Sequence, residues 1–233
     1  MQAKPPSARG PLRREGLRAA WGLAFQAAVL FGAAGRLDWG LAWAYLGLVA
    51  GLSLGQLWIL KRDPDLAAER AAGFRKGPGW DRALVVAMTL PGTLGVWILA
   101  GLQQRFGWTP EAPLWLSLAA LPVALSGFGL FLWALRSNTF FAPVVRLQRE
   151  RGQSVVSAGP YGRLRHPGYL GWLVFALAMP LVLGSCWALV TVPITLGATV
   201  LRTHLEDRLL RRDLEGYEDY ARRVPWRLLP GLW

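Results

Sequence analysis

Six apolar stretches divide this chain, and their length leaves little choice of fold. They cover about Leu17–Ala34, Gly40–Leu60, Ala83–Leu102, Pro113–Leu135, Gly168–Leu183 and Ser185–Leu201. A helix needs roughly 20 mostly apolar residues to cross about 30 Å of hydrocarbon. The one charge in these stretches is Arg18, at the edge of the first. Within a bilayer each backbone N–H and C=O must be satisfied inside the protein, which selects helices. The expected fold is an all-α integral membrane protein with about six transmembrane helices. The fifth stretch is short and runs into the sixth through Gly184-Ser185, which predicts a C-terminal helical hairpin with a very tight turn.

The formal net charge is +12, a value that in a soluble protein would suggest nucleic acid. Its distribution points elsewhere. Of the 26 Lys and Arg residues, 24 fall in the arm before and including Arg18, in Lys61–Arg82, in Arg136–Arg165 and in the tail from Arg202. The intervening connections hold only Arg36 and Arg105. Basic and non-basic connections alternate strictly, as the positive-inside rule requires of six crossings with both termini cytoplasmic. A bilayer is the expected partner, and nucleic acid is not. The bias toward Arg, Ala, Gly, Leu and Trp fits a GC-rich bacterial genome, hence an inner-membrane location. The lone Cys186 permits no internal disulfide and no thiolate metal cluster. The basic N-terminal arm resembles a signal n-region, but the apolar stretch after it is long and lacks a clear small-residue cleavage site. It reads as an uncleaved first span.

The connections carry their own signals. In "KRDPDLAAERAAGFRKGPGWDR" (61–82), Asp63 is placed to cap a short helix, Pro64 suits its first turn, and Trp80 suits an interfacial anchor. The long polar segment after the fourth span contains "VVRLQRERGQSVVSAG", whose β-branched residues and glycines suggest a small hairpin or irregular strand. Beyond the sixth span, Leu201, Leu205, Leu209 and Tyr217 recur at helical spacing, and Val224-Pro225 is the expected stop. Arg202 and Glu206, at i and i+4, share a helix face.

The densest polar cluster, "YGRLRHPGYLGW" (161–172), lies against a run from Leu170 to Val200 that holds no ionisable Asp, Glu, Lys, Arg or His. Pro167 suits the first position of the fifth helix, with His166 beside its free N–H groups. Arg163 and Arg165 would add to an anion-friendly pocket, or else snorkel to headgroups while Tyr161 and Tyr169 join an aromatic belt. The tight hairpin brings this cluster and Arg202 and Glu206 together at one cytoplasmic crevice. Ionisable groups at membrane depth are functional candidates by default.

"GPYGRLRHPGYLGW", a helical hairpin, and then "LRTHLEDRLL…GYEDYARRVPWRLLPGL" together resemble the isoprenylcysteine carboxyl methyltransferase and phospholipid methyltransferase family. The paired signature covers about Asn138–Leu232. The resemblance implies an integral-membrane methyltransferase that uses S-adenosylmethionine. Residues 1–135 would form an N-terminal four-helix membrane region. Residues 136–233 would form the methyltransferase core of the same structural domain, with a cofactor loop, hairpin and tail helix. Carried over by position, Gln153, Ser154, Val155, Val156, Tyr161, His166, Pro167, Gly168 and Tyr169 would line the cofactor, with Glu206 at its polar end. Arg202 would hold the substrate as the catalytic residue, and no metal is implied. Carboxyl-methylating members often have histidine near position 153, where this chain has glutamine.

The implied acceptor is an isoprenylcysteine-like carboxylate or another lipid-linked amphipathic group. A carboxylate is already anionic at neutral pH and needs no base, only orientation and desolvation. The planar fork of Arg202 suits a carboxylate or phosphate. The chain has no G-x-G-x-x-G loop after a strand, so a Rossmann-type methyltransferase is not expected. Two other classes stay open. A sterol-type membrane reductase would place NADPH at a similar crevice, and a non-catalytic membrane scaffold or transporter would bind no cofactor.

Overall fold

The computed structural model describes residues 9–73 and 77–233. The start of the N-terminal arm and part of the 61–82 connection therefore lie outside the described residues. Among these residues the structure is entirely helical, without a strand. The order is α1 (Arg9–Ala34), α2 (Gly40–Arg62), α3 (Pro64–Ala72), α4 (Gly79–Thr89), α5 (Val96–Phe106), α6 (Leu114–Ser137), α7 (Pro167–Val182), α8 (Val192–Asp213) and α9 (Tyr217–Arg223).

Each of the six apolar stretches is a helix. Five helical runs are long and apolar enough to cross a membrane: 10–34, 40–62, 79–106, 114–137 and 187–213. The sixth, α7, has only 16 residues, about 24 Å at 1.5 Å per residue, and is the most enclosed of the set. Large apolar side chains project from the long helices, including Trp21, Trp43, Leu54, Trp115 and Ile194. That is the surface expected of helices facing lipid.

Pro91 interrupts the third span. It lacks an N–H and crowds the preceding turn, so the ladder widens to a π segment over Leu90–Gly95 between α4 and α5. Thr89 and Thr93 turn their hydroxyls back to the carbonyls of Val85 and Thr89. The closest helix pair is α6 with α7, which cross at Gly127 and Gly171. A Cβ on Gly127 would stand 2.6 Å from the Phe175 nitrogen, and one on Gly171 would stand 2.5 Å from the Phe131 nitrogen. Only glycine permits this approach, and without a water-driven force such packing holds membrane helices together. The turn at Gly184 has φ 72° and leads through a 3₁₀ turn, Trp187–Thr191, into α8. The main apolar core combines Leu30, Tyr45, Val96, Trp97, Phe175 and Leu183 from α1, α2, α5, α7 and the turn after it.

Two local expectations change. The segment 144–159 forms neither hairpin nor strand; it holds a 3₁₀ turn, Arg149–Arg151, and is tied down by side chains. Gln148 donates to the Phe140 carbonyl (2.7 Å), and Arg151 donates to Gln148 and to the Thr139 carbonyl. The tail helix does not run unbroken to Val224. It stops at Asp213, and Gly216 in left-handed conformation restarts it as α9. By contrast Asp63 caps α3 as its sequence predicts, accepting from the Leu66 N–H at 2.9 Å.

The four basic segments meet at one end of the bundle. Arg18 of α1 donates to the Ala71 carbonyl of α3 (3.0 Å). Arg146 forks onto Glu69 of α3 (2.8 and 2.6 Å). Arg202 of α8 forks onto Asp81 of α4 (2.7 and 3.3 Å). The site lies among these contacts.

Candidate active site: a crevice between α4, α7, α8 and the 138–156 loop

A cavity of about 260 Å³ opens at this end. Its walls come from α3, α4, α6, the loop 138–156, the start of α7, α8 and α9. Gln153, Ser154, Val155, Val156, Tyr161, His166, Gly168, Tyr169, Arg202 and Glu206 all line it. Pro167 does not; it is buried at the first position of α7, where its missing N–H costs nothing.

The start of α7 is built around a buried acid that sequence reasoning passed over. Asp207 of α8, without solvent exposure, accepts from Arg165 (2.8 Å), Tyr217 (3.1 Å), Arg211 (3.1 Å) and Arg227 (3.0 Å). His166 Nε2 stands 3.4 Å from the same carboxylate. The tail crosses here too, since the N–H groups of Arg165 and His166 donate to the carbonyls of Trp226 and Arg227 (2.9 and 3.0 Å). The expected anion pocket of Arg163, Arg165 and His166 at the helix start is therefore not formed. Arg163 is exposed, while Arg165 and His166 are turned onto Asp207. A buried guanidinium needs a carboxylate more than it needs lipid headgroups.

His166 and Arg202 meet through Tyr169. The His166 ring stacks on Tyr169 with centroids 5.7 Å apart, and the Arg202 guanidinium lies 5.0 Å from the Tyr169 centroid on its other flank of contacts. The Tyr169 hydroxyl donates to Glu206. Arg202 and Glu206 do not pair with each other as their i, i+4 spacing suggested. Arg202 takes Asp81 and the Pro143 carbonyl (3.0 Å) through Nε and Nη2, while its Nη1 makes no hydrogen bond. Among the described residues Glu206 forms no salt bridge, and Tyr169 is its hydrogen-bond donor.

The loop side is held by side chains distant in sequence. Gln153 accepts from the Gln148 N–H at 2.6 Å. Val155, Leu210 and Leu214 pack against the cluster of Tyr217, Tyr220, Ala221 and Val224. Tyr220 donates to the Tyr161 carbonyl (2.7 Å), and Asn138 donates to the Tyr161 hydroxyl (3.3 Å). Burial pushes the Tyr220 phenol up to about 12, with Arg165 opposing and Asp207 adding to the rise. Burial also raises Tyr161 and Tyr217, so these phenols stay neutral donors. The opposite wall is apolar: Val85 and Met88 of α4, Phe131 of α6 and Trp172 of α7.

The crevice thus sets an apolar wall against Glu206 and a cluster of aromatic side chains. The profile of the isoprenylcysteine carboxyl methyltransferase (ICMT) family matches residues 119–212, which span α6, α7 and most of α8. This region of the chain is similar to the ICMT family. The solved structure of the eukaryotic intramembrane Ras methyltransferase ICMT superposes with a TM-score of 0.55 at 17% identity, covering 91% of this chain and 75% of that one. The ICMT-like fold thus extends beyond the matched region. Rat protein-S-isoprenylcysteine O-methyltransferase is 29% identical over 135 residues, covering 57% of this chain and 48% of its own length. Mouse Delta(14)-sterol reductase TM7SF2 is 31% identical over 144 residues, 55% of this chain and 34% of its own length. The chain spans between about a third and a half of these two curated relatives.

Asp81, Asp207, Arg70 and Glu69 were missed by sequence reasoning. Asp81 stands in "GWDR", 121 residues before its partner Arg202, and nothing local marks it. Asp207 follows Glu206 directly, and the periodicity that put Glu206 on the Arg202 face put Asp207 on the next.

Proposed function

We propose that this protein is an S-adenosylmethionine-dependent methyltransferase of the ICMT type. Its acceptor would be carried on a lipid-like or prenylated chain and reached from the bilayer. The observation that carries the reading is the two-sided cavity. One wall of Val85, Met88, Phe131 and Trp172 continues the membrane interior, and the other presents Glu206, Tyr169 and the 153–156 loop.

The residues present fit the cofactor. Glu206 makes no salt bridge, and a carboxylate in that state suits an ammonium or a ribose hydroxyl. Gln153, Ser154, Val155 and Val156 would follow its length, with Tyr161, His166, Gly168 and Tyr169 closing round it and Pro167 fixing the start of α7. When bound, S-adenosylmethionine would supply an electrophilic sulfonium methyl group, whose bond to sulfur breaks as the acceptor bonds to its carbon, with S-adenosylhomocysteine leaving. Arg202 would orient the acceptor through Nη1, its position fixed by Asp81. The apolar wall would strip water from the acceptor, and orientation of this kind lowers a barrier by several kcal/mol. The basic end of the bundle would face the cytoplasm of a bacterial inner membrane.

A reductase reading rests on the 31% identity to the mouse sterol reductase. Calorimetric titration of the purified protein separates the two. Micromolar binding of S-adenosylhomocysteine, lost in Glu206→Ala and His166→Ala, with no binding of NADPH, supports methyl transfer. Binding of NADPH alone refutes it. Arg202→Lys is expected to lose turnover while keeping cofactor affinity; equal loss of both would move Arg202 to the cofactor.

A further inference from the structure

A second cavity, of about 510 Å³, lies at the same end of the bundle, where α1, α3 and α4 meet. Among the described residues its lining carries three guanidiniums, Arg18, Arg70 and Arg82, against one carboxylate, Glu15. Arg70 contributes charge rather than a contact, its Nε being shut off from solvent. Arg18 of α1 is fixed in place by Glu15 (2.6 Å) and by the carbonyls of Arg70 and Ala71 (3.3 and 3.0 Å), yet its side chain stays 53% exposed. Arg82 of α4 is exposed and has no hydrogen bond or ion pair among the described residues. Its neighbour Asp81 turns the other way, onto Arg202. The cavity therefore holds an excess of positive charge with an open donor at its edge.

Below these guanidiniums the surface is apolar. The third span changes partner at its π segment: α5 packs against α1, whereas α4 packs against α8. A groove is left between α1 and α4 in the half of the bundle that carries the cavity. Arg18, Trp21 and Phe25 share one face of α1, and Phe25 meets Trp97 of α5 edge-on with centroids 6.4 Å apart, so this face looks toward the third span. Arg82, Val86 and Leu90 follow at four-residue intervals along α4 and into the π segment. Trp21, Phe25, Val86 and Leu90 are all exposed. Trp80, beside Arg82, is exposed too and suits the headgroup level. From Arg82 to Leu90 is about 12 Å at 1.5 Å per residue. That is close to the apolar depth of one leaflet, about 15 Å.

We propose that this groove binds one anionic phospholipid of the adjacent leaflet, its phosphate held by Arg82 and Arg18 and its acyl chains lying along Trp21, Phe25, Val86 and Leu90. Basic pockets between transmembrane helices are sites at which lipid headgroups are recognised. The charge selects the lipid class. A zwitterionic headgroup would bring its own ammonium to a cavity already in positive excess, whereas a headgroup with a net negative charge offsets that excess. Free phosphate would satisfy the guanidiniums but leave the apolar face below them uncovered. The site is separate from the crevice of Glu206 and Tyr169 and does not rest on the methyltransferase reading.

The test is native mass spectrometry of the full chain, delipidated in detergent and titrated with dioleoylphosphatidylglycerol, dioleoylphosphatidylcholine or inorganic phosphate. Wild-type protein is expected to retain one phosphatidylglycerol at least about tenfold more tightly than phosphatidylcholine, the scale of one hydrogen bond to a charged group. Arg82→Gln should lower phosphatidylglycerol affinity by about tenfold and bring it near that of phosphatidylcholine, while Arg82→Lys keeps part of the preference. Val86→Asp, on the same face below Arg82, should weaken both lipids and leave the guanidiniums in place. Arg223→Gln, exposed on α9, should change nothing. Equal retention of the two lipids by wild-type protein overturns the proposal, as does an Arg82→Gln variant that binds like wild type. An equal loss in Arg223→Gln would assign the preference to the basic surface at large and also overturn it. Displacement of the lipid by millimolar inorganic phosphate would make the site one for free anions, not for lipid. Should Arg82→Gln fail to fold, Val86→Asp decides: weakened retention of both lipids supports the groove, and unchanged retention refutes it.

Discussion

Replacing Asp81 by asparagine keeps the size of the side chain and removes its charge. The carboxylate has no solvent exposure, and the Arg202 side chain that faces it is 7% exposed, so solvent screens the pair little. Asp81 receives Nε and Nη2 of Arg202 and also the Val145 N–H at 2.8 Å, joining α4, α8 and the loop 138–156 at one point. Removing one partner of a buried pair leaves the other charge uncompensated and costs about 3–5 kcal/mol. At about 2–4 °C per kcal/mol for a chain of this size, Asp81→Asn is expected to lower the melting temperature by about 6 °C or more. The assay is the temperature at which detergent-solubilised protein loses half its S-adenosylhomocysteine binding, or half its tryptophan signal if binding is weak. The double variant Asp81→Leu with Arg202→Met should recover most of that loss, because two apolar groups of similar size leave no charge stranded. A single-variant shift under about 2 °C, or a double variant no better than the sum of its parts, would refute the claim that this pair anchors the crevice.

Asp207→Asn should loosen the tail that crosses His166, since Arg165, Arg211, Arg227 and Tyr217 lose their common acceptor; limited proteolysis should cut near Arg222–Arg227 at least about tenfold faster than in wild type, as expected for a loss above about 1.4 kcal/mol. Gly171→Val should separate α6 from α7, where even a Cβ meets the Phe131 nitrogen at 2.5 Å, and cost about 1–3 kcal/mol, read as a lower melting temperature with the α-helical circular dichroism retained. Tyr220, Tyr217 and Tyr161 carry raised pKa values, so the folded state favours their neutral forms. Their contribution is fully present below the ordinary phenol value of about 10 and is lost as pH rises toward about 12. Absorbance at 295 nm should show their ionisation only together with loss of the fold; free titration of these phenols near pH 10 in folded protein would contradict the burial described here.

The helices were legible because the bilayer imposes one rule on every residue of a span. Hydrophobic length decides, and no partner need be known. The cap at Asp63 and the stop near Val224 were legible for a similar reason, since each depends on the adjacent few residues. The segment 144–159 departs from the strand expectation because its β-branched pairs speak for strand only when a neighbouring strand exists. Here its backbone is fixed by Gln148, Gln153 and Arg151 instead. The lining of the crevice was foreshadowed by the motif around His166 and Tyr169, yet the bonds inside it were not. Spacing offered Glu206 to Arg202, a surface helix pair worth about 0.2–0.5 kcal/mol. Burial made a stronger demand, and Asp81 met it from another helix.

The same demand explains why the basic segments, legible as a topology signal, turn out to contain the partners of one another. Arg18 reaches α3, Arg146 reaches Glu69, Arg165 reaches Asp207 and Arg202 reaches Asp81, each contact joining two of the four segments or the segment to the tail. A charge placed at the membrane edge to orient a helix must still be compensated once the helices pack. Connections that share one side of the membrane are the available source of acids, and Glu69, Asp81 and Asp207 all lie in them or at the helix ends beside them. Charge alternation therefore does two things in this chain: it sets which ends of the helices gather, and it supplies the pairs that close them into a crevice.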